Sequence, residues 1–254
     1  MMARVVVTAS AGTFPGLAAA LRALPISVEE YPLITFRAPP NWTPLDLALE
    51  RLGSYGAVAL TSPRAATALT DRIALRGASV WPRINPPALW AGGAATATAL
   101  GSGLGPIRVP AERQTGEAGA AAALVAAMLD ARVAGPVLFA CGNTHRGELP
   151  ARLRSEGIAV DEVVCYASVL AAESSAQAAA ARATVLVVAS PTVAQLLIRA
   201  CPPESRPRLV AAGPTTADSA QSSGWKPAAV AATPTTDAVA AAVRTVLASR
   251  ASHE

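Results

Sequence analysis

The chain has 254 residues, 52% of them hydrophobic and 15% charged, and its mean hydropathy of +0.37 excludes a disordered polymer and suits one large domain or two small ones. The net charge of +4 comes from 20 Arg and the single Lys226 set against 17 acidic residues. These cations are scattered singly with few aromatics between them, which argues against a nucleic-acid stripe.

In chain order, short β-rich runs alternate with alanine-rich helical stretches. Arg4–Thr8 is predicted as a strand and Pro15–Leu24 as a helix, followed by an extended run Val28–Phe36. Leu45–Leu52 is predicted helical, with Thr43 as N-cap and Pro44 in the first turn. Ala57–Thr61, Ala88–Ala91 and Ile107–Val109 read as strands, followed by helices at Ala65–Arg76, Ala94–Leu100 and Glu117–Ala131. Val137–Cys141 leads into a helix at Gly147–Glu156, and Val160–Ser168 is extended. The helix Glu173–Arg182 precedes strands at Thr184–Ala189, Leu209–Ala212 and Ala228–Ala232, each with its helix: Val193–Ala200, Thr216–Ser222 and Asp237–Ser249. Strands that are continuous apolar runs, alternating with helices, imply parallel sheets covered on both faces. The 61 alanines favour helices and close approach of elements.

An internal repeat organises these elements. Val58-Ala59-Leu60-Thr61-Ser62-Pro63 matches Val187-Val188-Ala189-Ser190-Pro191, with Ser62 and Ser190 separated by 128 positions. Gly93-Ala94-Ala95-Thr96-Ala97 matches Gly213-Pro214-Thr215-Thr216-Ala217 at a separation of 120, as do Thr115 with Thr235 and Ala118 with Ala238. One further unit is placed differently: strand–Thr8-Ala9-Ser10–helix opens the chain, while Leu138–Cys141, Gly142-Asn143 and a helix close the other half. The simplest topology inserts one α/β domain, 37–164, into another made of 1–34 and 167–254. The chain then crosses between them at Tyr31–Ala38 and Val163–Val169, and these extended segments could pair as a two-stranded ladder.

In open parallel sheets ligands bind beyond the carboxyl ends of the strands. Ser10, Thr61, Ser62, Thr96, Gly142, Asn143, Ser190, Gly213, Thr215 and Thr216 all fall at such ends. Helix N-termini there offer bare N–H donors and a favourable dipole to anions, so two facing domains would suit a ligand with several carboxylates or phosphates. Ser62, Thr96, Ser190 and Thr216 could equally serve as helix caps. Arg64 and Arg146 are candidate carboxylate clamps or ordinary surface arginines. Tyr166 could donate a hydrogen bond or a proton to a leaving oxygen, or simply pack as a linker aromatic. His145 reads as a loop histidine, and Asp46, Glu50, Glu117 and Asp237 read as water-facing helix residues.

Several chemistries lack their motifs. No GxxxxGK[ST], strand-anchored GxGxxG or GxSxG occurs, so no nucleotide cofactor or nucleophile elbow is indicated. Two histidines make a His-based zinc site improbable, and no cofactor is expected. Cys141, Cys165 and Cys201 are odd in number and far apart, and read as buried thiols in a reducing, cytoplasmic compartment. The alanine-rich stretches are too short or interrupted for a membrane span, and no secretory segment is evident.

The pattern resembles the uroporphyrinogen-III synthase family over nearly the whole chain. The residues that carry it are Tyr31-Pro32-Leu33-Ile34, Leu60-Thr61-Ser62-Pro63-Arg64-Ala65-Ala66, Ala91–Ala97 and Gly142-Asn143-Thr144-His145-Arg146-Gly147-Glu148-Leu149. Val163-Val164-Cys165-Tyr166, Ala189-Ser190-Pro191-Thr192-Val193 and Ala212-Gly213-Pro214-Thr215-Thr216-Ala217 complete it. Two departures stand out: Thr8-Ala9-Ser10 where Thr-Arg is common, and Gly92-Gly93 where an apolar residue usually precedes the glycine. The resemblance implies two flavodoxin-like domains joined by a two-stranded β-ladder, and a substrate, hydroxymethylbilane, that is a linear tetrapyrrole rich in carboxylates. The implied lyase reaction removes water, inverts ring D through a spiro intermediate and closes the macrocycle in haem biosynthesis, without metal or cofactor. It implies Tyr166 as the catalytic group, and adds Thr192 to the substrate-binding positions. A monomer without nucleic-acid or membrane partners is the expectation. The alternative is a non-enzymatic two-domain binder or regulator for a polyanionic small molecule.

Overall fold

The computed structural model describes residues 2–111, 119–145 and 147–251. It opens with β1 (Ala3–Val7), a single turn α1 (Leu17–Ala20), β2 (Ile26–Glu30) and β3 (Ile34–Arg37). There follow α2 (Thr43–Glu50), β4 (Ala57–Leu60), α3 (Pro63–Arg76), β5 (Ala88–Ala91), α4 (Ala94–Leu100) and β6 (Ile107–Arg108). Next come α5 (Gly119–Asp130), β7 (Val137–Gly142), α6 (Glu148–Ser155), β8 (Val160–Leu170) and α7 (Glu173–Arg182). The chain closes with β9 (Val185–Val188), α8 (Pro191–Ala200), β10 (Arg208–Ala211), α9 (Pro214–Ser222), β11 (Ala229–Val230) and α10 (Thr236–Ala251).

Two units result: Met1–Phe36 with Val169–Glu254, and Arg37–Ser168. The first holds a five-stranded sheet in the order β11-β10-β9-β1-β2, the doubly wound order of flavodoxin-like folds. The second holds β8-β7-β4-β5-β6 of a six-stranded sheet whose full order is β3-β8-β7-β4-β5-β6. Apart from β3 it is the same arrangement, with β7 standing where β1 stands in the first sheet. The segments on which the chain passes from one unit to the other, β3 and β8, are neighbours in that sheet. Among the described residues no helix is long and apolar enough to cross a membrane.

Each central strand is buried on both faces, which is why it reads as an uninterrupted apolar run. All residues of β4, β7 and β9 are buried. Their side chains alternate with period two. Val58 and Leu60 enter a core with Leu45, Leu49, Leu69 and Ile73, whereas Ala57 and Ala59 enter another with Leu124, Met128, Phe139 and Leu153. In the first unit Val5, Val7, Val185 and Val187 face α10, while Val6, Leu186 and Val188 pack with Leu196, Leu197 and Ala176. Each buried Leu or Val contributes about 1.5–3 kcal/mol relative to exposure. The alanines supply thin layers between helix and sheet, as where α5 packs on Ala57 and Ala59.

Three local expectations need correction. The helix predicted over Pro15–Leu24 shrinks to α1, because Gly16 adopts φ 78° at its N-terminus and Pro25 disfavours a helical Leu24. The run Val28–Phe36 breaks into β2 and β3 at Tyr31–Leu33, where Pro32 offers no N–H to a ladder. Thr43 does not cap α2: the N-cap is Trp42, and the Thr43 N–H donates to Asn41 Oδ1 at 2.9 Å.

Candidate functional site

The strand ends of the second unit converge on Tyr166. Up to Cys141, β7 and β8 pair in regular register, but Gly142 then pairs with Tyr166, so β8 carries a bulge at this point. The bulge re-aims a side chain. Val163 and Cys165 face the core shared with α3, and strict alternation would send Tyr166 to the opposite face with Val164. Instead Tyr166 packs against that same α3-side core.

From there the phenol donates to Ser62 Oγ at 3.3 Å. Ser62 is the N-cap of α3, and its side chain makes no capping bond. β7 lies between β8 and β4, so the ring has to cross the end of β7. Gly142 occupies that crossing: a Cβ there would stand 2.5 Å from Cζ, 2.7 Å from the hydroxyl oxygen and 2.9 Å from Cε2 of Tyr166.

Asn143 holds the same strand end from the other side. Its N–H donates to the Tyr166 carbonyl at 3.2 Å. Its Oδ1 accepts from the Ser168 N–H at 2.9 Å and the Ser168 hydroxyl at 3.1 Å, and its Nδ2 donates to the Ser168 carbonyl at 3.4 Å. The Asn143 amide thus continues the ladder as a backbone peptide would, and Thr144 Oγ1 bonds Ser168 Oγ at 2.9 Å. His145 is not a loop side chain in water. Its Nδ1 accepts from the Gly147 N–H at 3.1 Å, which leaves Nε2 to face Glu162 Oε2 at 3.1 Å, and its ring meets Phe139 edge-on.

The thiols flanking the site are buried and unpaired. Burial pushes Cys141 and Cys165 up to about 12. Cys165 Sγ donates to the Cys141 carbonyl at 3.2 Å, so these thiols bind the strand ends together and are poor nucleophiles.

The remaining predicted positions are distributed as follows. Thr61 is half-buried beside Gly92, whose Cβ would stand 3.3 Å from Thr61 Cα. Arg64, the second residue of α3, is exposed. In the other unit Ser190 is the N-cap of α8, again without a side-chain capping bond, and Thr192 and Thr215 are exposed. The N-caps of α4 and α9 are Gly93 and Gly213, and neither cap has a side-chain bond. The capping alternative for Ser62, Thr96, Ser190 and Thr216 therefore has no hydrogen bond behind it. Thr96 and Thr216, each in the first turn and 4% exposed, offer little side chain to a ligand. Ser10 Oγ bonds Thr13 Oγ1 at 2.9 Å. Arg146, Thr115 and Glu117 lie outside the described residues.

Among the described residues the first unit has no counterpart of the tyrosine crossing. Just past the end of β1, Thr8 is buried and its hydroxyl donates to the Val187 carbonyl at 2.9 Å.

Comparison with known proteins agrees with this architecture. The family model described as uroporphyrinogen-III synthase HemD matches residues 16–241. A mutant uroporphyrinogen III synthase from the extremely thermophilic bacterium Thermus thermophilus superposes with a TM-score of 0.71 at 16% identity, covering 97% of this chain and 99% of its own. Uroporphyrinogen-III synthetase from Helicobacter pylori gives a TM-score of 0.60 at 18% identity, covering 100% of both chains. No curated protein sequence matches the chain significantly.

Proposed function

The chain belongs to the uroporphyrinogen-III synthase family, and from that premise we propose how its residues carry the reaction. The enzyme is a lyase that cyclises hydroxymethylbilane with loss of water and inversion of ring D. Its chain must bind a flexible polycarboxylate, fold it head to tail, and assist departure of the terminal hydroxyl.

Tyr166 assists that departure. The observation that carries this reading is its phenol, turned by the bulge onto the strand ends beside Ser62, 3.3 Å away. The phenol donates its proton to the departing oxygen while the C–O electron pair leaves with the water. The azafulvenium left behind attacks the substituted carbon of the last pyrrole, and the spiro intermediate rearranges. The proton released when the last ring closes restores the phenol.

Substrate carboxylates are met by donors at the strand ends of each unit. The exposed Arg64, Thr192 and Thr215 support this, as do the backbone N–H groups of the first turns of α3, α8 and α9. Thr61, Ser190 and Gly213 contribute backbone and hydroxyl groups alongside them, and Ser10 and Arg146 extend the set. The three buried free thiols support a reducing cytoplasmic setting. A monomer is supported by sheets whose two faces are both covered within their own unit.

The test is incubation with freshly generated hydroxymethylbilane, with the products oxidised and separated by isomer. Type III porphyrin in excess over the spontaneous type I isomer is expected. Only type I, at the uncatalysed rate, would refute the reading.

A further inference from the structure

We propose that Gly142 and Ser62 are positioning residues for Tyr166 and not contacts for the substrate. The inference rests on the reading of Tyr166 as the proton donor.

Neighbouring strands lie ~4.8 Å apart, so β8 and β4, with β7 between them, are about 10 Å apart. A tyrosine on β8 reaches the end of β4 only by laying its ring over β7. Gly142, which has no side chain, sits at that crossing, and any Cβ there would overlap Cζ, Cε2 and the hydroxyl of Tyr166 at 2.5–2.9 Å. No positive φ requires glycine at this position. The space requirement of the ring does.

Ser62 supplies the other end of the aim. An N-cap serine normally spends its oxygen on its helix, and this one does not. Its Oγ accepts from the Tyr166 hydroxyl instead. A serine hydroxyl both accepts and donates. When a leaving hydroxyl arrives, the phenol O–H turns about its Cζ–O bond toward that oxygen, and the Ser62 O–H donates to the phenol oxygen in exchange. As the proton moves to the leaving oxygen, Ser62 remains bonded to the phenolate. No further acid or base enters the step, and Ser62 loses no proton.

The test is a set of mutant cycles in the full-length enzyme, with hydroxymethylbilane as substrate and formation of the type III isomer as readout. Gly142→Ala and Ser62→Ala each lower kcat toward the value of Tyr166→Phe, with KM little changed. Ser62→Thr, which keeps a hydroxyl on extended backbone, retains activity. In the Tyr166→Phe background both alanine substitutions become neutral within about twofold, the signature of residues acting through one group. Loss by the same factor in parent and Phe backgrounds would overturn the proposal and return both residues to substrate contact or folding. Parental kcat in Tyr166→Phe would instead overturn the reading of Tyr166 on which the proposal rests. Thermal unfolding keeps the ring relationship testable if Gly142→Ala folds poorly. The substitution lowers Tm when Tyr166 is present and leaves it unchanged in a Tyr166→Ala background, and an equal loss in both backgrounds would contradict the crossing.

Discussion

Gly56 and Ala134 meet so closely at the start of β4 that a Cβ on Gly56 would stand 1.5 Å from the Ala134 carbonyl oxygen and 2.7 Å from its carbon. The approach lets the Gly56 N–H donate to the Pro136 carbonyl at 2.9 Å while the Gly56 carbonyl accepts from Ala88. Three segments of the second sheet are joined at that point. Gly56→Ala has to move backbone, and is expected to cost about 3 kcal/mol or more. Chemical denaturation checks it, and a loss under about 1 kcal/mol would show that the turn yields.

Two groups away from the site make the stability of the second unit depend on pH. In α2, Asp46 accepts two hydrogen bonds from Arg72 and an ion pair from Arg76 at 3.4 Å. This corrects its reading as a water-facing residue. The bond from Arg72 lowers the Asp46 pKa, against a raising contribution from burial. The folded state then binds fewer protons than the unfolded one, so this contribution is present above the unfolded value and is lost as pH falls through the folded one. Tyr55 behaves oppositely. Burial first, and its 2.6 Å hydrogen bond to Asp161 second, push it up to about 12 from 10.0. Its contribution is present below pH 10 and is lost as pH rises toward 12. Unfolding midpoints should therefore fall less on acidification in Asp46→Asn, and less between pH 10 and 12 in Tyr55→Phe, than in the parent. Parallel curves would contradict both.

The thiols give a protection experiment. Cys141 and Cys165 are 2% and 0% exposed, and their raised pKa values leave almost no thiolate at neutral pH. The native enzyme should resist alkylation at both positions near neutral pH and accept it fully in denaturant, as read by mass spectrometry. Prompt labelling of the native protein would mean that the β7–β8 ends open.

Binding should respond to salt. Carboxylates held by exposed arginines and helix N-termini lose affinity as ionic strength screens them. Titration of the enzyme with product at low and high salt should show a gradual weakening, because hydrogen bonds from backbone donors are less sensitive to salt than contacts with exposed side-chain charges. Equal affinities would contradict an electrostatic site.

Much of this architecture was legible because apolar strands, alanine helices and the Ser-Pro and Gly-x-x-Thr-Ala turns recur in order. The repeat reaches the backbone itself. Ser62 and Ser190 have φ/ψ of −140/133° and −137/130°, and Gly93 and Gly213 have 177/171° and 176/166°. The relationships around Tyr166 were not legible. The bulge on β8 depends on which strand pairs with it, and nothing local marks Cys165 as the extra residue. The sequence places Gly142 and Asn143 at a strand end, yet their roles appear only once β7 is known to lie between β8 and β4. With that order in hand, a glycine ending β7 beside a tyrosine on β8 is the signal that could have found the crossing. The Asp46–Arg72 pair joins two helices whose facing sides the sequence does not specify.

The central claim is that the Tyr166 hydroxyl assists loss of water from the substrate, and Tyr166→Phe tests it most directly. Phenylalanine keeps the ring over Gly142 and removes only the oxygen. A hydrogen bond to a group developing charge is worth about 1.5–3 kcal/mol, or about 10- to 100-fold in rate. The hydroxyl of a pyrrolic hydroxymethyl group leaves readily, pushed by the ring nitrogen, so activity should persist at that reduced level. We expect type III formation by the Phe variant to show kcat lowered by about 10- to 100-fold, with product affinity and Tm close to the parent. Type III synthesis at the parental kcat would contradict the account.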